Sequence, residues 1–199
     1  MKIFRFGLGM WIFAFLILVP SLLTAGTATN QISATIDGFV PIITNISSAE
    51  LQATGLPESA RKLVLARFDF SEMTKRSLGP HWNSLNPAEQ KQFVEAFTQR
   101  QLTYFGRTVR SSGREKVQFK REVQNGKDVY VETKIVTRYG EDLSIDYWLH
   151  YVNGQWKVYD MVIDRVDLAR NFRAQFERVI AKSSLKELLE RVKDQNPRS

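Results

Sequence analysis

The spacing of apolar residues changes character along the chain, and each change marks a structural element. Ile32, Ile36, Phe39, Val40, Ile43 and Ile46 recur mostly at steps of three and four, which places them along one side of a helix, with Gly38 and Pro41 positioned to bend it. A second helix is predicted in LPESARKLVLARF, where Pro57 suits the first turn and Leu63, Val64 and Phe68 form a buried side. In DFSEMTKRSLGP, Asp69 and Glu72 have capping-box spacing, and Gly79-Pro80 ends the element. LNPAEQKQFVEAFTQRQLTYFGRTV reads as a long helix with Asn86 as N-cap, Pro87 in the first position and Glu89 completing a box. Its apolar residues, Phe93, Val94, Phe97, Leu102, Phe105 and Val109, span too wide an arc for a coiled-coil seam, so a broad surface is expected against it.

From Lys116 to Asp164 the period becomes two. Asn153-Gly154 is the preferred two-residue hairpin turn, and it would pair Tyr151 with Trp156, Leu149 with Val158, Tyr147 with Asp160 and Ile145 with Val162. Three-residue turns at Asn125 to Lys127 and at Tyr139 to Glu141 extend the same face to Val117, Phe119 and Val123, then to Val129, Val131, Thr133 and Ile135. Four strands then share one apolar face in one register, as side-chain alternation requires. The opposite face mixes Lys134, Arg138, Asp146, His150 and Lys157 with Tyr130, Val136, Trp148, Tyr159, Met161 and Ile163, so part of it is expected to be covered as well. Helical spacing returns after Asp167, an N-cap, with Leu168, Phe172, Phe176 and Ile180 four residues apart. A last helix is predicted from Ser184, with Glu187 at box spacing and Leu185, Leu188, Leu189 and Val192 buried.

Ahead of these elements, Lys2 and Arg5 precede an uncharged apolar run from Phe6 to Leu23 and a small-residue stretch from Thr24 to Ala28. This is the pattern of a secretory signal peptide, residues 1–28, leaving one domain over 29–199; an uncleaved membrane anchor is the alternative. With no cysteine among 199 residues, neither a lipid-anchored cysteine nor a disulfide is available, and a hydrophobic core must hold the fold. Removal of Lys2 and Arg5 takes two charges from the formal +7, so an exported form remains basic and suited to anionic lipid headgroups or envelope proteins. Export and the lack of a glycine-aromatic RNA-binding motif argue against nucleic acid as a partner.

The polar inventory is thin for catalysis. Cysteine nucleophiles and thiolate metal sites are impossible, and neither a P-loop nor a nucleophile elbow occurs. The two histidines, His81 and His150, read as surface or capping residues. Asp160 is the exception, because the register above sets its carboxylate among Tyr147, Val158 and Val162. Buried there, it would need a partner, such as Tyr147, Arg170 or Arg173, or a raised pKa. Two roles stay open for it: a structural hydrogen bond or ion pair, or a general base in a cone-shaped α+β pocket.

FDFSEM at 68–73, the Gly79-Pro80-His81-Trp82 turn, LNPAEQKQFVEAF at 85–97 and WKVYDMVIDRVDLARNFRAQF at 156–176 together resemble MlaC, also called the toluene-tolerance auxiliary family. MlaC proteins are the periplasmic phospholipid-binding components of the bacterial Mla transport system. Asp167 stands where a serine is frequent in that family and Phe172 where a tyrosine is; Asp and Ser are both good N-caps. The resemblance implies an α+β fold of the NTF2-like, cone-like kind: a helical layer on a curved, mainly four-stranded antiparallel sheet, enclosing an apolar cavity. It implies no catalytic residue, no metal and no cofactor, with phospholipid as cargo. The partners implied are an outer-membrane lipoprotein complex and an inner-membrane ABC transporter with its MCE-domain ring. The residues expected around the acyl chains are Phe97, Val131, Ile135, Ile145, Tyr147, Leu149, Trp156, Val158, Val162, Phe172 and Phe176. A small cone-fold enzyme using Asp160 and an envelope adaptor binding protein are the competing readings.

Overall fold

The computed structural model describes residues 26–112, 116–136 and 142–194. Within these described residues, seven α-helices and five strands follow in the order α1 (Gly26–Asn45), α2 (Ser48–Thr54), α3 (Glu58–Arg67), α4 (Phe70–Leu78), a 3₁₀ helix (Gly79–Ser84), α5 (Pro87–Ser112), β1 (Lys116–Asn125), β2 (Asp128–Val136), β3 (Asp142–Val152), β4 (Gln155–Ile163), β5 (Val166–Asp167), α6 (Leu168–Lys182) and α7 (Leu185–Lys193). The strands form one antiparallel sheet in sequence order, so the fold is α+β, with a fifth, two-residue strand beyond the four expected.

The helix boundaries follow from local chemistry. Asp69 accepts from the Glu72 amide, Asn86 from the amides of Ala88 and Glu89, Asp167 from Arg170 and Ser184 from Glu187, each satisfying an amide that the first turn cannot pair internally. Glu89 reaches back to the Asn86 amide and completes the capping box. Helix α2, capped by Ser47 on Glu50, is an element the spacing argument did not identify, although Ser47 and Glu50 stand at capping-box spacing.

The sheet departs from the expected register at two places. On the β3–β4 hairpin the Asn153-Gly154 turn has φ of 51° and 80°, the left-handed pair such a turn requires, and the pairs Tyr151–Trp156 and Leu149–Val158 form as expected. Beyond them Trp148 pairs with Asp160, Tyr147 with Met161 and Ile145 with Ile163, because Tyr159 is an extra residue that bulges β4. One inserted residue reverses every side chain after it. Asp160 and Val162 therefore leave the apolar face for the opposite one, and Met161 and Ile163 replace them. On β1 the register shifts between Phe119 and Arg121, so Val123 pairs with Tyr130 and Glu122 with Val131; Val123 is thus also on the opposite face from the one expected. The β1–β2 connection is a two-residue turn at Gly126-Lys127, not a three-residue one. The expected turn at Tyr139 to Glu141 lies outside the described residues.

Two apolar clusters make up the core. One joins α1, α3, α4, α5, α6 and α7; the other joins the start of α1 to the inner face of the sheet. Phe68 and Phe105 belong to both, their rings 5.3 Å apart, and so tie the helical layer to the sheet. The α3–α4 junction reinforces the joint: the Asp69 amide donates to the Val158 carbonyl at 2.8 Å, and the Asp69 carboxylate contacts His150 Nε2 at 3.0 Å. Bulges bend and twist a sheet, and the two here curl it around the space beneath α1.

Candidate functional site

Between α1, α3 and α5 on one side and the inner face of the sheet on the other lies a cavity of about 160 Å³. The apolar side of α1 forms its roof, with Ile32, Ile36 and Phe39 over the sheet, and Phe105 and Val109 of α5 close one flank. The sheet supplies the floor through Ile135, Ile145, Tyr147, Val158, Met161 and Ile163. The polar groups on this wall are few. The Thr35 hydroxyl donates to the Gln31 carbonyl, and the Tyr147 phenol, whose pKa is pushed up mainly by burial, is hydrogen-bonded to Thr133. Arg67 is the one charged residue lining the cavity among the described residues.

Of the residues expected around acyl chains, Ile135, Ile145, Tyr147 and Val158 line this cavity. Val131, Leu149 and Trp156 are buried on the same face but packed solid in the sheet cluster, away from the void. Val162 is half-buried on the opposite face, displaced by the β4 bulge. Phe97, Phe172 and Phe176 meet one another instead: the Phe97 ring stands edge-on to Phe172 and Phe176 at 5.2 and 6.4 Å, inside the helical cluster. Phe172 and Phe176, expected around acyl chains, therefore face the helical layer and not this cavity. Helix α6 packs mainly on α4, and α1 is the helix that roofs the sheet. The lining residues missed by sequence reasoning include those of α1, whose stripe reads as ordinary packing, Phe105 and Val109 of α5, and Arg67, Met161 and Ile163.

Asp160 sits outside this cavity. Its Oδ1 accepts from the Met161 amide at 2.8 Å and the Ala169 amide at 3.1 Å, which fastens the start of α6 to β4. Its pKa is raised to about 6, first by burial and then by the neighbouring Asp167 carboxylate. Arg76, Arg170 and Arg173 share a separate polar pocket with it, and the Arg76 guanidinium lies 4.1 Å above the Tyr159 ring. Tyr147 is on the other face, and among the described residues neither Arg170 nor Arg173 forms an ion pair with Asp160, so its anchors are backbone amides. A base aimed into the apolar pocket is not what this geometry provides. Among the described residues no group of three or more His, Asp or Glu side chains could hold a metal ion.

Comparison with solved structures identifies a similar architecture in the phospholipid-binding protein from Ralstonia solanacearum, solved in complex with a phospholipid. The two superpose with a TM-score of 0.74 over 84% of this chain and 96% of that one, at 21% sequence identity. A de novo designed protein with a curved β-sheet matches 32% of this chain and 60% of its own at 16% identity, with a TM-score of 0.28, too low to bear on the argument. No curated protein sequence matches this chain. The family model described as MlaC protein matches residues 35–194, a span running from the roof of the cavity in α1 to the end of the last helix. A match over that span, on a curved sheet under a helical layer, shows that this chain belongs to the MlaC family.

Proposed function

We propose that the protein is a phospholipid carrier of the periplasm with no catalytic activity of its own. The observation that carries this reading is an apolar cavity between a helical layer and a curved sheet, in a chain of the MlaC family whose fold is shared by a protein solved with phospholipid bound. The wall offers greasy side chains and no convergent pair of acid and base, which suits holding acyl chains rather than transforming them. Each methylene kept out of water is worth about 0.8 kcal/mol, so two tails crossing an aqueous compartment unprotected would cost roughly 20 kcal/mol or more. A dry cavity removes most of that cost. Transfer from a bilayer, where the tails are already buried, then lies near balance, and direction is set by the partners that load and unload the carrier.

A cavity of about 150 Å³ holds one benzene-sized guest. Admitting two acyl chains therefore requires the helices to move away from the sheet. The exported, basic chain would act between an outer-membrane lipoprotein complex and an inner-membrane MCE-domain ABC transporter, its signal segment over residues 1–28 being removed on export. The test is transfer of a radiolabelled phospholipid between donor and acceptor vesicles. The carrier accelerates transfer in proportion to its concentration; transfer at the uncatalysed rate, with folded protein present, contradicts the reading.

A further inference from the structure

Arg67 ends α3 at the cavity wall, and its contacts are unusual for a half-buried cation. Its Nε donates to the Thr35 hydroxyl at 3.1 Å, and its Nη1 donates to the Gln31 side-chain oxygen and the Trp156 carbonyl, each at 2.5 Å. Gln31 is itself held by the Trp156 amide at 3.2 Å. Every acceptor is neutral, and no carboxylate among the described residues pairs with this guanidinium. Arginine carries five N–H donors, one on Nε and two on each terminal nitrogen. Nε and Nη1 are engaged, whereas Nη2 has no acceptor among the described residues and is not sealed among them. Burial lowers the Arg67 pKa, with no anion nearby to offset the effect. A desolvated charge is costly unless paired, so a guanidinium clamped on one edge and unpaired on the other is pre-organised for an anion.

We propose that Arg67 is the oxyanion subsite of the cavity, its free Nη2 edge binding the phosphodiester of a lipid headgroup whose tails lie along β3 and β4. This rests on the carrier reading and adds an orientation to it. Arg67 touches Trp156 at the start of β4, while Ile163 ends that strand and Leu143 begins β3 beside it, both on the cavity wall. From Val158 to Ile163 the strand extends roughly 16 Å of floor. The headgroup sits at the Trp156 end, and the tails run toward Leu143 and Ile163.

The test compares loading from vesicles containing phosphatidylglycerol or diacylglycerol with the same acyl chains, measured as lipid captured per protein. The wild-type protein takes phosphatidylglycerol by about tenfold or more over diacylglycerol, the scale of a charge-assisted contact. Arg67→Gln loses that preference while still taking diacylglycerol, and Arg67→Lys, which keeps the charge, retains part of it. Palmitate and inorganic phosphate as competitors separate the sources of the anion: competition by palmitate alone assigns the subsite to carboxylate lipids, and competition by inorganic phosphate to phosphate itself. An equal uptake of both lipids by the wild-type protein, without competition, overturns the proposal and leaves the carrier reading standing. The same preference in wild type and folded Arg67→Gln also overturns it, showing that Arg67 only ties α1 to β4. Uptake of neither lipid overturns the carrier reading and this subsite together. The wild-type ratio requires no variant and decides the matter even where Arg67→Gln does not fold.

Discussion

Ile145 and Leu149 stand four residues apart on the same face of β3, yet one borders the void and the other is sealed in packed core, and tryptophan at each position should separate the two environments. Ile145 is half-buried and lines the cavity, whereas Leu149 has no exposed surface and packs in the sheet cluster with Val129 and Val158. In Ile145→Trp the indole enters space that cargo would use. If it displaces three or four methylenes at about 0.8 kcal/mol each, affinity falls by about 3 kcal/mol, on the order of 100-fold. The empty protein should melt near the wild-type temperature, since no packed neighbour is pushed aside. In Leu149→Trp the added volume has nowhere to go, and overpacking costs about 1–3 kcal/mol, or roughly 2–10 °C in Tm for a domain of this size. Thermal melts of delipidated protein, beside lipid bound per folded molecule, measure both quantities. A large fall in melting temperature for Ile145→Trp with full lipid load, together with a tolerated Leu149→Trp, would refute the placement of the void.

Asp160 should make the fold less stable as pH rises. Its folded pKa of about 6 exceeds the ordinary 3.8, so the stability it contributes is complete below about pH 4 and is lost as pH climbs through 6. Asp160→Asn keeps the acceptor for Met161 and Ala169, removes that decline, and should be more stable than wild type at pH 7.5 by about 1–3 kcal/mol, discounting for partial screening. Urea unfolding at pH 4.5 and 7.5 checks this, and a wild-type curve that gains stability across the interval relative to the variant contradicts it. Asp69→Ala removes the cap of α4 and the His150 contact together, and a loss of about 1–2 kcal/mol in urea unfolding is expected. Asp167→Ala removes the cap of α6 but also the carboxylate that opposes ionised Asp160, so it should cost no more than about 1 kcal/mol at neutral pH, with vesicle transfer retained because α6 does not wall the cavity.

Much of this fold is written in short-range chemistry. The caps at Asp69, Asn86, Asp167 and Ser184 and the turn at Asn153-Gly154 each depend on side chains within a few residues, so their positions are legible without tertiary information. The bulges at Tyr159 and near Lys120 are different, because neither is flagged by glycine or proline. Reading straight alternation through Tyr159 put Asp160 and Val162 on the wrong face and hid Met161 and Ile163. The choice of helix over the sheet depends on long-range packing: Phe172 and Phe176 are as apolar as Ile32 and Ile36, but Phe97 offers them a better surface across the helical layer. Arg67 was missed because a basic residue in the last turn of a helix is ordinary for the helix dipole. Its spacing of three from buried Val64, beside Phe68, was the available signal that it turns inward.

On the proposed function, folded protein carries phospholipid in the cavity beneath α1. Protein purified without detergent, unfolded and extracted into organic solvent, with phospholipid counted by mass spectrometry against protein, tests it most directly. Close to one phospholipid per molecule is expected, falling sharply in Ile145→Trp. Folded wild-type protein that yields no phospholipid, or as much from Ile145→Trp as from wild type, would contradict it.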